Sequence, residues 1–317
     1  MGAPTPPMRA APPPPAGTPT PRPFTTLFTA PAAAVDFDPV RHGRVPHPDP
    51  AREATINTAW AAALAARPHT YNGAKFRLAG VTGAPWRPPT AAASAAVTLH
   101  LGLTDYRTYV GTHLGDGAAD PVTVWGHPRH LALALGNAAV VVTADGRVPL
   151  LRRSRETAAV AAELDDAIGR EVTEELYLPR AAVPPHAVAL VGGVARAGGC
   201  GRPQLCYAVR LDVPSAAVAA AWAAGVARHA ADVAAPRGGR VGVGGGDGSV
   251  GGAPVEAVES TELVWVSEAS LGELAACGGV AGGLLPPEHW GAVALYWATR
   301  GERGGGGATR VVGAVSD

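Results

Sequence analysis

One helical stretch carries carboxylates where its apolar contacts should lie. In "AAVAAELDDAIGREVTEELYLP" (158–179), apolar residues recur at helical spacing. With Ile168 set at 0° and about 100° per residue, Val160, Leu164, Val172 and Leu176 fall at about −80°, −40°, +40° and +80°, a single apolar face. Glu175 then lies at about −20° and Glu171 at about −60°, both inside that face, with Asp165 at about +60° on its other flank. Glu174, at about −120°, sits on the edge, and Arg170 lies nearly opposite. A solvated acidic surface is the ordinary meaning of such a charge run, but it would set the glutamates opposite the apolar stripe. Unpaired buried carboxylates cost several kcal/mol or change protonation, and three close together repel one another. A bound hard cation relieves both difficulties, because Mg²⁺ takes carboxylate oxygens and keeps water or phosphate as its other ligands.

The rest of the chain sets this helix among strands. "HLALALGNAAVVVTADGRVPLLRRS" (130–154) is the clearest β signal, with Val140–Thr143 and Val148–Leu151 flanking an Asp-Gly turn, which predicts a hairpin. Further strands are expected at 24–30, 74–81, 95–103, 203–213 and 262–267, and in "AVALVGGVARA". Helices are expected at 51–68, in "AAVAAAWAAGVARHAADVAA" and at 288–300. Strands alternating with helices around one hairpin imply a mixed α/β sandwich. Residues 1–35 hold 11 prolines, two arginines and no acid, so a disordered segment is expected over 1–34. The absence of acids there also fits an organellar transit peptide, although proline is too dense for its helix and serine is missing. "RGGRVGVGGGDGSVGGAP" (237–254) reads as a glycine-rich loop and not as a phosphate loop, because it lacks Gly-Lys-Ser/Thr and does not join a strand to a helix. The histidines of "GHPRH" (126–130) lack a third ligand at metal spacing and read as turn residues.

Composition adds exclusions. The 317 residues carry 26 basic and 26 acidic side chains, with a single lysine, so no net charge draws the chain to nucleic acid or an anionic membrane. No apolar run is long enough for a membrane span, and three cysteines without ligand spacing argue against a disulfide framework. A cytoplasmic location is expected, with an organelle as the alternative.

"REVTEELYL" (170–178) resembles the C-terminal half of the Nudix box, R-E-U-x-E-E-x-G-U with U apolar, with Tyr177 in place of the glycine. "VDFDPVRHGRVPHP", "YNGAKFRLAG", "LGLTDYRTYVGTHL", "LLRRS" and "ESTELVWV" are similar to the nucleotide-sugar diphosphatase branch of that superfamily. The resemblance covers roughly residues 35–300, apart from insertions and one gap. It implies a Nudix α/β/α sandwich with a mixed sheet (128–302), preceded by an N-terminal α+β subdomain (35–127) and followed by a flexible tail (303–317). It also implies hydrolysis of a nucleotide sugar such as UDP-glucose, UDP-galactose or GDP-mannose, dependent on Mg²⁺ or Mn²⁺, giving a nucleoside monophosphate and a sugar 1-phosphate. Glu171, Glu174 and Glu175 would bind metal, with Glu174 and Glu175 catalytic and Arg170 orienting the carboxylates. Glu259 would be a further ligand or base, or equally an exposed loop acid. Arg196 and Arg202 would contact phosphate. Asp105, Tyr106 and Arg107 would contact substrate or pack the first subdomain. A second departure from the family is larger: Arg153 is followed almost at once by the helix, without the Pro-Gly-Gly segment that completes the box. A catalytically impaired nucleotide-sugar binder or interaction protein on the same scaffold is therefore the alternative.

Overall fold

The computed structural model describes residues 24–29, 33–68, 70–83, 97–114, 121–153, 164–196, 201–234, 260–277, 279–280, 283–285, 287–300 and 312–314. The glycine-rich loop at 237–254, Glu259 and residues 154–163 lie outside them.

The central sheet has the order β1 (Phe24–Thr29), β7 (Val188–Arg196), β8 (Pro203–Arg210), β5 (Gly136–Val142). It is mixed: β1–β7 and β7–β8 are antiparallel, and β5–β8 is parallel. Alternation along its strands divides two cores. Leu190, Leu205, Tyr207 and Val209 face one side, where they join Ile168, Val172 and Leu176 of α4 (Leu164–Glu175). Val191, Val194, Cys206 and Ala208 face the other. There they meet α6 (Leu271–Cys277) and Trp290, Val293 and Tyr296 of α7 (Pro287–Thr299). This is an α/β/α sandwich of Nudix type. A long alanine-rich helix, α5 (Ser215–Ala234), follows β8. No helix among the described residues is long and apolar enough to cross a membrane.

A second sheet has the order β12 (Val312–Ala314), β2 (Ala33–Phe37), β4 (Val97–Asp105), β3 (Ala74–Thr82). Beside it lie α1 (Pro50–Ala66), α2 (Tyr106–Tyr109), a π-type turn at Val110–Leu114 and α3 (Pro121–Trp125). Its inner residues Leu78, Val97, Leu99 and Leu101 belong to the same core as α4, so the two parts of the chain share one apolar interior.

Several expectations need correction. Phe24–Thr29 is a strand, as expected for 24–30, and Ala33–Phe37 is another, so the disorder expected over 1–34 does not hold at these residues. Val312–Ala314 pairs in parallel with β2, inside what reads as a flexible tail. The Asp-Gly turn forms, with Thr143 N donating to Arg147 O at 2.9 Å and Gly146 at φ +69°. Its strands then diverge: β5 pairs with β8, whereas β6 (Arg147–Arg153) pairs with β9 (Ser260–Ser267). A tight turn fixes only local geometry, and here β5 joins the four-stranded sheet while β6 forms a two-stranded ribbon with β9. A short ribbon, β10 (Gly279–Val280) with β11 (Gly283–Leu284), completes the strands.

The turn is tied to α5. The Asp145 carboxylate accepts hydrogen bonds from Thr143 Oγ1 (2.7 Å), Ser215 N (2.8 Å) and Ser215 Oγ (2.6 Å). These bonds, the Ser215 hydroxyl first, hold the Asp145 carboxyl far below its ordinary value. A depressed folded-state value stabilises fully above the unfolded value of about 3.9, and the contribution is lost as pH falls below it. Urea unfolding followed from about pH 5 to pH 2 is expected to show a shallower acid loss of stability in Asp145→Asn than in the parent.

Candidate active site between the glutamate helix and the N-terminal sheet

The helix α4 is rotated relative to the sequence expectation. Ile168, Val172 and Leu176 are buried, and so are Gly169 and Thr173, which moves the buried arc away from the glutamates. Gly169 is small enough to admit the Arg180 guanidinium, since an added Cβ would stand 2.5 Å from Arg180 Nη1. Glu171 and Glu175 are therefore half-buried along one edge, and Glu174 is exposed. Arg170 Nε lies 3.9 Å from Glu174 Oε1, an exposed i,i+4 pair worth little energy. The expectation of Glu171 and Glu175 inside the apolar face, with Glu174 on its edge, gives way to Glu171 and Glu175 on the margin and Glu174 exposed.

Tyr177 closes the helix. Leu178 N donates to Thr173 O and Tyr177 N to Glu174 O, the paired bonds of a Schellman cap. Tyr177 has φ +53°, the left-handed conformation for which glycine is the usual residue. Its ring rests on Gly225 of α5, where an added Cβ would lie 2.0 Å from Tyr177 Cγ. The residue that departs from the Nudix pattern thus holds the backbone shape that glycine would take.

Residues from the N-terminal part gather near Glu171. Lys75, the chain's single lysine, begins β3. Burial pushes its ammonium pKa down and Arg202 adds to that, while the Glu171 carboxylate pushes it up, so Arg202 and Glu171 each lie within electrostatic reach of Lys75. The Lys75 Nζ lies 5.6 Å from the Tyr106 ring centroid, and the Arg202 guanidinium lies 5.4 Å from that of Tyr109. Trp60, Tyr106, Tyr109 and His113 form a continuous run of ring contacts with centroids 5.1–6.1 Å apart. Arg202 Nε and His113 Nε2 are buried without a hydrogen-bond partner. Burial, with Arg202 and Arg77, pushes His113 down to about 4, so its imidazole is neutral at pH 7. Two cations, a neutral imidazole and an aromatic wall suit an anionic ligand with a planar group.

The remaining expected residues have other places. Asp105 caps α2, accepting from Thr108 N at 2.7 Å, and Arg107 is exposed, donating to Asn57 Oδ1 at 3.2 Å. Arg196 is exposed at the end of β7, in register with Phe24. His127 caps a 3₁₀ turn, and His130 shares a hydrogen bond between its Nδ1 and Val45 O at 2.9 Å, both turn roles. Lys75, Tyr109 and His113 are not among the residues expected from the sequence, where the signal for the first is the solitary lysine inside "YNGAKFRLAG".

The chain is similar to a curated Nudix hydrolase and to curated uridine diphosphate glucose pyrophosphatases. It is 36% identical over 134 residues to Nudix hydrolase 9 of Arabidopsis thaliana, covering 38% of this chain and 40% of that one. It is 35% identical over 123 residues to the uridine diphosphate glucose pyrophosphatase NUDT22 of Homo sapiens, covering 37% and 39% respectively. Against the Mus musculus protein of the same name it is 33% identical over 141 residues, 42% of each chain. The chain thus spans about two fifths of the length of these curated relatives. No family model matches it.

Proposed function

We propose that the chain hydrolyses the pyrophosphate of a nucleotide sugar, UDP-glucose or a close analogue, with a divalent cation held on α4. The observation that carries this reading is the grouping of Glu171 with Lys75 and Arg202 between the helix and the N-terminal sheet. The similarity to curated pyrophosphatases supports it.

The donor set fits a hard cation. Glu171 and Glu175 are one turn apart on one half-buried edge, and carboxylate oxygens are what Mg²⁺ or Mn²⁺ prefers. Such an ion, when bound, lowers the pKa of water and offsets phosphate charge. Lys75 and Arg202 would bind the phosphoryl oxygens from the opposite side, and Arg202 Nε offers a buried donor that has no other partner. Tyr106 and Tyr109 would stack on the base or sugar. Glu175 would accept the proton of the attacking water, and Arg170 would steady Glu174. Glu259 is proposed as a further ligand or base from its place in "ESTELV".

The short link from Arg153 to Leu164, which lacks Pro-Gly-Gly, favours a second reading: a binder without turnover. One experiment separates them. Full-length chain with Mg²⁺ and UDP-glucose is expected to release UMP and glucose 1-phosphate, and EDTA is expected to stop it. Thermal stabilisation by UDP-glucose without product would establish the binder, and neither effect would reject both.

A further inference from the structure

A second cluster lies on the outer side of the N-terminal sheet. In the parallel pairing of β2 with β4, Asp36 stands opposite His100. Their neighbours Val35, Phe37, Leu99 and Leu101 contribute to the core shared with α4, so alternation turns Asp36 and His100 to the opposite face. His42 completes the group from the loop after β2. Asp36 Oδ2 is 2.9 Å from His42 Nε2 and 2.8 Å from His100 Nδ1, and one donor atom from each residue lies within 4.8 Å of the others.

This cluster is built and held. Gly102 lets the His42 loop approach β4, since an added Cβ would stand 2.3 Å from the His42 carbonyl. The buried Arg77 donates to His42 O at 3.0 Å, as well as to Leu131 O and Pro128 O. Asp38 accepts from Val40 N and Arg41 N, shaping the turn that delivers His42. The other Asp36 oxygen, Oδ1, accepts from Arg41 Nη2 at 2.7 Å, which leaves Oδ2 to the imidazoles. The far nitrogen of His100, Nε2, lies 2.9 Å from Thr82 Oγ1. That is the outer partner a metal-bound imidazole ordinarily has.

We propose that Asp36, His42 and His100 form a binding site for one divalent transition-metal ion of the zinc class, distinct from the glutamate helix. Two imidazole nitrogens and one carboxylate oxygen are the ligand types that such an ion takes, with water as a fourth ligand. Donors about 2.0–2.1 Å from a tetrahedral ion stand about 3.3 Å apart, so a small opening of the hydrogen-bonded cluster admits it. The ligating imidazoles bind as neutral rings. The His100 proton then resides on Nε2, where Thr82 Oγ1 accepts it. The exposed Arg41 keeps its ion pair with Oδ1 in solvent.

The test uses the full chain, stripped with EDTA and titrated with Zn²⁺ and with Co²⁺. The expected result is one tightly bound ion per chain and a four-coordinate Co²⁺ absorption band, both retained in Glu175→Gln. In His42→Gln and His100→Ala, affinity is expected to fall by more than ~100-fold, beyond the usual cost of losing an outer-shell partner. X-ray absorption of the zinc-loaded parent needs no variant and is expected to show two imidazole ligands. No binding by the parent, unchanged binding in both variants, or a shell without imidazole would overturn the assignment.

Discussion

Glu175→Gln is expected to lower kcat for UDP-glucose hydrolysis by about 10²–10⁴-fold, the usual range for loss of a positioned general base. The side chain is half-buried on the edge of α4, one turn from Glu171. Glutamine keeps its volume and removes its charge and basicity. The melting temperature is expected to stay unchanged, because the substitution leaves the buried face of Ile168, Val172 and Leu176 untouched. Glu174→Gln is expected to cost less, since Glu174 is exposed and its Arg170 contact is long. Steady-state kinetics on both variants measures the contrast. Equal rates for Glu175→Gln and the parent would remove Glu175 from the mechanism.

The second large effect concerns Tyr177 and Gly225. Glycine inside a helix is ordinarily unfavourable by about 1 kcal/mol relative to alanine. Gly225 is buried in α5, where the Tyr177 ring occupies the space a Cβ would need. Gly225→Ala is therefore expected to destabilise the parent by about 1–3 kcal/mol through overpacking. In a Tyr177→Gly background the same change is expected to stabilise by up to ~1 kcal/mol, because the ring is gone and helix propensity acts alone. Urea unfolding of the four proteins closes a double-mutant cycle, and additive effects would contradict the packing account.

How far these features were legible in the sequence depends on their range. The turn at Asp145-Gly146 is a local pattern and sits where turn chemistry puts it, whereas the carboxylates of α4 lie on the margin of the face that periodicity assigns them. The rotation of α4 is not local: it follows from Gly169 and Thr173 turning inward against Arg180 and the sheet. The pairing of β1 with β7 and of β12 with β2 joins segments far apart in sequence, and each short strand is ambiguous by itself. The same holds for the sites. Glu171 and Glu175 announce themselves by spacing. Lys75 comes within reach of Glu171 and Arg202 only in the folded chain, and Asp36 meets His100 only through strand register. Asp105 and Arg107 lie within "LTDYRTY", yet one caps a helix and the other reaches Asn57. Tyr106 from the same stretch joins the aromatic wall.

The proposed pyrophosphate site spans the glutamate helix and the N-terminal sheet. Calorimetric binding of UDP-glucose to Lys75→Met, with Mg²⁺ held constant, tests that most directly. Loss of a charge-assisted contact of about 1.5–3 kcal/mol predicts affinity about 10- to 150-fold weaker than the parent's, with the fold intact. Affinity equal to that of the parent would place the phosphates elsewhere and contradict the shared site.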